Sequence, residues 1–233
     1  MTRQPGSAKL QATWMLLMAE LAVEQNRGRD AYSDLARRYD ESQRVYHTLV
    51  HVWQVVQNVR RLAPYAQNLA QVQTAAWLHD VIYDPRAAGN EERSAAYAAQ
   101  LLQALEQPHS FIAGVQRLIL LTKEHKAAPE DGDGCVLLDA DLAILGARPA
   151  AYTRYAGAIR REYAWAPEET YRSGRVAVLR QLLQRPFIYH TVPMRQEREQ
   201  VARENIQAEI KSLSFEGDAS GGDASERDAS GTG

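Results

Sequence analysis

Apolar residues recur along this chain at spacings of three and four, a period that restricts it to packed helices. Leu10, Trp14, Leu17 and Leu21 fall on one face of a first helix, with Ser7 placed to cap it. A second long pattern runs from about Glu41 to Leu62, with Val45, Leu49, Trp53 and Val56 inward and Pro64 as its stop signal. Further helices are expected over Asn68 to Ile82, Asn90 to Leu105, Pro108 to Glu124, Val136 to Leu145, Pro149 to Tyr163, Pro167 to Leu183 and Arg195 to Leu213. Several of these open on proline or a polar cap. No stretch alternates with period two, and no hairpin dipeptide separates β-branched runs, so the expected class is all-α. Ala127 to Gly134 reads as a surface loop because Pro129 and Asp131-Gly132-Asp133-Gly134 punctuate it.

A chain of 233 residues, 45% of them hydrophobic, can build one substantial core. Residues 1–213 are therefore expected to form a single helical domain. Residues 214–233 repeat Asp-Ala-Ser amid glycine and hold no large apolar residue after Phe215, so a disordered acidic tail is expected there. That tail carries a net charge of −4, which leaves +2 on the rest of the chain. So small a charge supplies no electrostatic footprint for nucleic acid. Cys135 is the only cysteine, so no internal disulfide can form, and the expected compartment is the cytoplasm. The most apolar early stretch, Trp14 to Val23, is ten residues long and includes Glu20, too short for a membrane span and without a signal-peptide cleavage pattern.

His79 and Asp80 stand together near the end of the apolar run Ala75-Ala76-Trp77-Leu78, a costly setting for a polar pair unless something uses it. Imidazole and carboxylate are the usual ligands of borderline divalent ions. His51 lies upstream in Tyr46-His47-Thr48-Leu49-Val50-His51, and Asp141 lies downstream in Leu138-Asp139-Ala140-Asp141-Leu142. This order of His, His-Asp and Asp on separate helices resembles the HD superfamily of metal-dependent phosphohydrolases. The likeness extends through Ala76 to Pro85, Asn90 to Ala95, Leu121 to His125, Leu138 to Gly146 and Tyr171 to Leu179, which are similar to a bacterial subfamily described as HD-superfamily metal-dependent hydrolases.

The resemblance implies an HD-type helical bundle with His51, His79, Asp80 and Asp141 as metal ligands. His51 is preferred to His47 because the residues that follow it match the usual run, and Asp141 is preferred to Asp139 on the Asp-Xaa-Leu that follows. His47 is then expected behind the ligands, and Asp139 either at the core rim or orienting a ligand. Four protein ligands leave two open positions on an octahedral ion, so one divalent ion is expected, Mn²⁺ or Fe²⁺ before Mg²⁺, Zn²⁺, Ni²⁺ or Co²⁺. Asp84, one turn past Asp80, is expected to handle a proton, with Glu91, His125 or water as substitutes. Lys123 and Arg175 are expected to hold a phosphate-bearing substrate, and the resemblance implies a nucleotide. Bland readings stand beside these. A histidine ending a helix, like His125, suits the helix dipole without any other role. The tyrosines and arginines of Tyr152 to Tyr163 fit a packed face with snorkelling arginines. Two other functions compete: a di-iron oxygenase using His109 and His125, and a metal-stabilised binding module without turnover. A small-molecule partner is expected, no membrane partner, and a homodimer is compatible with the chain.

Overall fold

The computed structural model describes residues 6–218, with side chains through residue 214. Among the described residues there are ten α-helices and no strand. They are α1 (Ser7–Glu20), α2 (Gln25–Tyr39), α3 (Leu49–Arg61), α4 (Leu69–Leu78), α5 (Asn90–Ala104), α6 (His109–Leu121), α7 (Gly132–Asp141), α8 (Pro149–Glu162), α9 (Glu168–Gln184) and α10 (Val192–Asp218). One main core runs through the chain from Leu10 to Ile206. No helix among the described residues is long and apolar enough to cross a membrane.

The centre of the bundle is α7, buried from Asp133 through Ala140, and α3, α4 and α6 pack against it. A helix covered on every side shows no amphipathic stripe, which is why its sequence resists a facial reading. It begins inside the segment expected to be a loop. Asp131 caps it by accepting from the Gly134 N–H at 2.9 Å, and Asp133 accepts from the backbone N–H groups of Gln67 and Asn68. Gly132 is required there, because a Cβ would stand 2.5 Å from the Tyr65 carbonyl oxygen.

Three further boundaries differ from the expected ones. Gln25 to Tyr39 forms α2, a helix that the apolar period did not single out; its buried positions are Gly28, Ala31, Tyr32, Leu35 and Tyr39, mostly small or aromatic. Residues 41–48 precede α3 instead of opening it, and Arg44, not Val45, is the buried side chain there. Thr48 caps α3, accepting from the Val50 N–H at 3.3 Å. At the other end of the chain, Asp139 accepts from the His190 and Thr191 N–H groups at 2.6 and 2.7 Å and from the Thr191 hydroxyl at 2.6 Å. These bonds let α10 start at Val192, and it continues to Asp218, five residues past the expected end at Leu213. A helix once nucleated extends at little cost, so the boundary moves outward. The rest of the expected tail, 219–233, lies outside the described residues.

Candidate metal centre

Three packed helices deliver the polar residues to one point: α3, α4 and α7. His51 stands in the first turn of α3, His79 directly after α4, Asp80 next to it, and Asp141 ends α7. The chain leaving α4 is clamped by the buried Arg44 guanidinium, which donates to the carbonyls of Asp80 at 2.7 Å, Val81 at 3.0 Å and His47 at 3.0 Å. Trp77 anchors α4 below, edge-on to Trp14 at 5.4 Å, with its carbonyl accepting from the Tyr39 hydroxyl.

The ligand atoms of His51, His79 and Asp141 lie within 4.8 Å of one another and form a group that could hold a metal ion. Nε2 of His51 and Nε2 of His79 are 3.2 Å apart, and Asp141 Oδ1 lies 3.2 Å from the first and 3.5 Å from the second. Asp80 Oδ2 sits 3.1 Å from His79 Nε2 and 3.6 Å from His51 Nε2. His79 Nδ1 is 3.1 Å from the Ala76 carbonyl, so Nδ1 carries a proton donated there and Nε2 is the ring atom turned inward.

Both histidines are almost wholly buried, at 3% and 1% exposure. Burial by itself would lower their pKa values, yet the Asp141 and Asp80 carboxylates outweigh it, raising His51 and raising His79 well above the usual value. Burial would likewise raise the two aspartates, but the neighbouring imidazoles hold both well below the carboxylate range. His51, His79 and Asp141 are thus a donor set that could hold a metal ion, and Asp80, expected as a fourth ligand, stands beside the two imidazoles outside that group.

The two carboxylates, Asp80 and Asp141, line a cavity of about 590 Å³ together with His47 and His125, while His51 and His79 lie behind its wall. His125, held at a φ of 50°, places Nε2 2.9 Å from Asp141 Oδ2, so one carboxylate spans the cluster and this histidine. Lys123 reaches the same cavity while paired with Glu92 in an exposed ion pair. Arg175 also lines it, but its guanidinium is locked on Glu209 at 2.8 and 3.2 Å and touches the Tyr155 hydroxyl at 3.3 Å. Glu91 is a further lining residue.

Asp84 is not among the residues lining this cavity. Its carboxylate accepts from the Arg86 N–H at 2.9 Å, closing a turn around Pro85, and lines a separate groove with Pro85, Arg86 and Arg161. His109 is exposed at the start of α6 and supplies no ligand atom to the cluster. Two features escaped the sequence reading. Tyr155 and Tyr163 wall the cavity where only a packed face was expected, and Trp165 and Tyr171 join them. Glu162, buried at the end of α8, binds His47 Nδ1 at 2.7 Å and accepts from three backbone N–H groups of residues 45–47. Burial would raise its pKa, but His47 and these N–H groups hold it at about 2. A lone glutamate among arginines and tyrosines carries no local signal for such a task. No protein-family model, curated protein or solved structure matches the chain.

Proposed function

We propose that this protein is an HD-type, metal-dependent phosphohydrolase acting on a small phosphate ester or anhydride, with a nucleotide as the expected class. One observation carries the reading: His51, His79 and Asp141 gather into a group that could hold a metal ion, with Asp80 beside the two imidazoles, and both carboxylates open into a cavity large enough for a small molecule. His51, His79, Asp80 and Asp141 would hold a single divalent ion, with Mn²⁺ or Fe²⁺ favoured. Bound there, the ion supplies an acidified water and offsets charge on phosphoryl oxygens.

The chain's own groups do the rest. Asp141 links the cluster to His125, so the two are set in one orientation. Lys123, whose exposed pair with Glu92 costs little to open, can swing to a substrate oxygen. Arg175 is committed to Glu209 and acts as a fixed wall beside Tyr155. The tyrosine-rich side of the cavity offers flat apolar surface to a ring in the substrate.

Protein purified without chelator should carry about one transition-metal ion per chain, and with Mn²⁺ it should release phosphate from members of a nucleotide and phosphomonoester panel. Asp80→Ala and His79→Ala should lose metal and turnover together. Unchanged metal content in both variants places the ion elsewhere and removes the reading.

A further inference from the structure

We propose that a second cavity, walled by α3, α8, α10 and the segment Leu142–Gly146, is a binding site for a small phosphate-type oxyanion. The site goes beyond the hydrolase reading above and stands whether or not the chain turns over a substrate. The cavity measures about 460 Å³ and takes Gln57 from α3, Ala143 from Leu142–Gly146, Arg154 from α8 and Arg198 from α10. It is distinct from the space that Lys123 and the tyrosines line, since only Asp141 borders both.

Charge and spare hydrogen-bonding capacity both point to an anion. Arg61 of α3 and Arg203 of α10 each hold a glutamate, but neither Arg154 nor Arg198 meets a carboxylate among the described residues. Arg154 has no hydrogen-bond partner there either. Arg198 donates from one end nitrogen to the Ala143 carbonyl at 3.1 Å and leaves Nε buried without a partner. Gln57 Nε2 is buried and unpartnered in the same way. Four buried side-chain nitrogens among the described residues lack a partner, and two of them belong to this one wall. Both are donors, so what the wall lacks is an acceptor. Both side chains border the cavity, where a modest rotation turns these nitrogens to an entering oxygen. A phosphate-type oxyanion supplies several acceptor oxygens together with the charge that two guanidiniums favour. Asp141 is the one carboxylate in the wall, and its oxygens already face His51 and His125.

Gln57, Arg154 and Arg198 come from helices far apart in the sequence. One anion held by all three ties α3, α8 and α10 together next to the cluster, because His51 and Asp141 also border this cavity. No covalent step is involved. Binding to the folded state alone stabilises it by mass action, so occupancy is readable as a rise in melting temperature.

Calorimetric titration of pyrophosphate into the EDTA-treated full chain tests the site, because chelation removes any ion that would draw phosphate to the cluster. One pyrophosphate should bind per chain. Arg154→Gln and Arg198→Gln should each weaken it by about tenfold or more, the loss expected for one charge-assisted hydrogen bond. Lys123→Gln, in the first cavity, should leave the affinity unchanged. Arg154 has no partner to lose, so its variant keeps the fold even if Arg198→Gln, which also frees the Ala143 carbonyl, does not. Gln57→Leu adds a readout that a packing role would move the other way. Having removed an unpaired donor, it should hold or raise the melting temperature of the ligand-free protein while shrinking the rise that pyrophosphate gives. No pyrophosphate bound, or a melting temperature that falls in Gln57→Leu with the pyrophosphate rise intact, overturns the proposal. Binding that Lys123→Gln weakens and Arg154→Gln spares overturns it too, placing the anion in the first cavity. None of these results depends on turnover, so the hydrolase reading stands or falls separately on metal content and the phosphate-release panel.

Discussion

Asp139 and Asp141 lie two residues apart on α7 and do unrelated things. Neighbours at that spacing point to different sides of a helix, so one carboxylate anchors the two residues before α10 while the other joins the imidazole cluster. Nothing local in Leu138-Asp139-Ala140-Asp141 separates the two; the likeness to HD proteins favoured Asp141, and the packing gives Asp139 its buried partners. Asp34 offers a cleaner measurement away from the cluster. Burial works to raise its pKa, but the Tyr97 hydroxyl at 2.6 Å and the guanidiniums of Arg38 and Arg37 prevail and hold it at about 2, against the usual 3.8. A depressed carboxylate stabilises the fold above its unfolded pKa and loses that contribution as pH falls towards its folded value. Asp34→Asn should therefore destabilise the protein by about 1 kcal/mol near pH 6, an amount discounted for a partly exposed site. Urea midpoints of the two proteins should converge as pH falls from about 4 towards 2. A gap that widens in acid contradicts the assignment.

Helix α2 and the turn before α3 show how element boundaries depend on distant partners. Although Gly28, Ala31, Leu35 and Tyr39 have helical spacing, α2 offers little aliphatic surface, and its docking rests on close approach and polar anchors. Trp14 Nε1 donates to the Gly28 carbonyl at 2.9 Å, and Tyr39 bonds the Trp77 carbonyl. The turn before α3 escapes helical winding because Glu162 binds its backbone from α8, while Arg44 within the turn bonds the His47 carbonyl and reaches across to Asp80 and Val81. Close approach also governs how α10 seats. At Gly146 an added Cβ would lie 2.5 Å from Arg198 Cβ and 2.8 Å from the Arg198 carbonyl, both parts of α10 that cannot step aside alone. Gly146→Ala should cost about 1–3 kcal/mol in chemical denaturation, the usual range for overpacking. Gly114→Ala is the control, since its Cβ would meet only the movable end of the Gln71 side chain. Comparable losses at the two glycines would show that α10 is not rigidly seated on residue 146.

Over the whole molecule, the cluster couples folding, protons and metal. Burial lowers His51 and His79, but Asp141 and Asp80 outweigh it and raise both, so the cluster favours bound protons that an ion held there would displace. Mn²⁺ uptake at pH 7 should release protons into a weakly buffered indicator, and uptake without release would contradict the placement of the ion. A histidine with a raised folded pKa stabilises the metal-free fold below its unfolded pKa, and that contribution disappears as pH rises through the folded value. The drop in melting temperature caused by EDTA should accordingly grow between pH 6.5 and 8.5, reaching about 5–10 °C for an ion held at a hundredfold excess over its Kd. A drop that shrinks over this range means the cluster is not the ion's site. The helical class and the order His51, His79-Asp80, Asp141 were open to reading from the chain alone, because periodicity and short motifs are local properties. Glu162 bound to His47, Arg44 bracing the Asp80 turn, Glu209 holding Arg175 and Asp84 turned to another groove were not. Each depends on which lone pair or N–H a side chain finds after helices distant in sequence have packed, and a linear pattern carries no record of that partner.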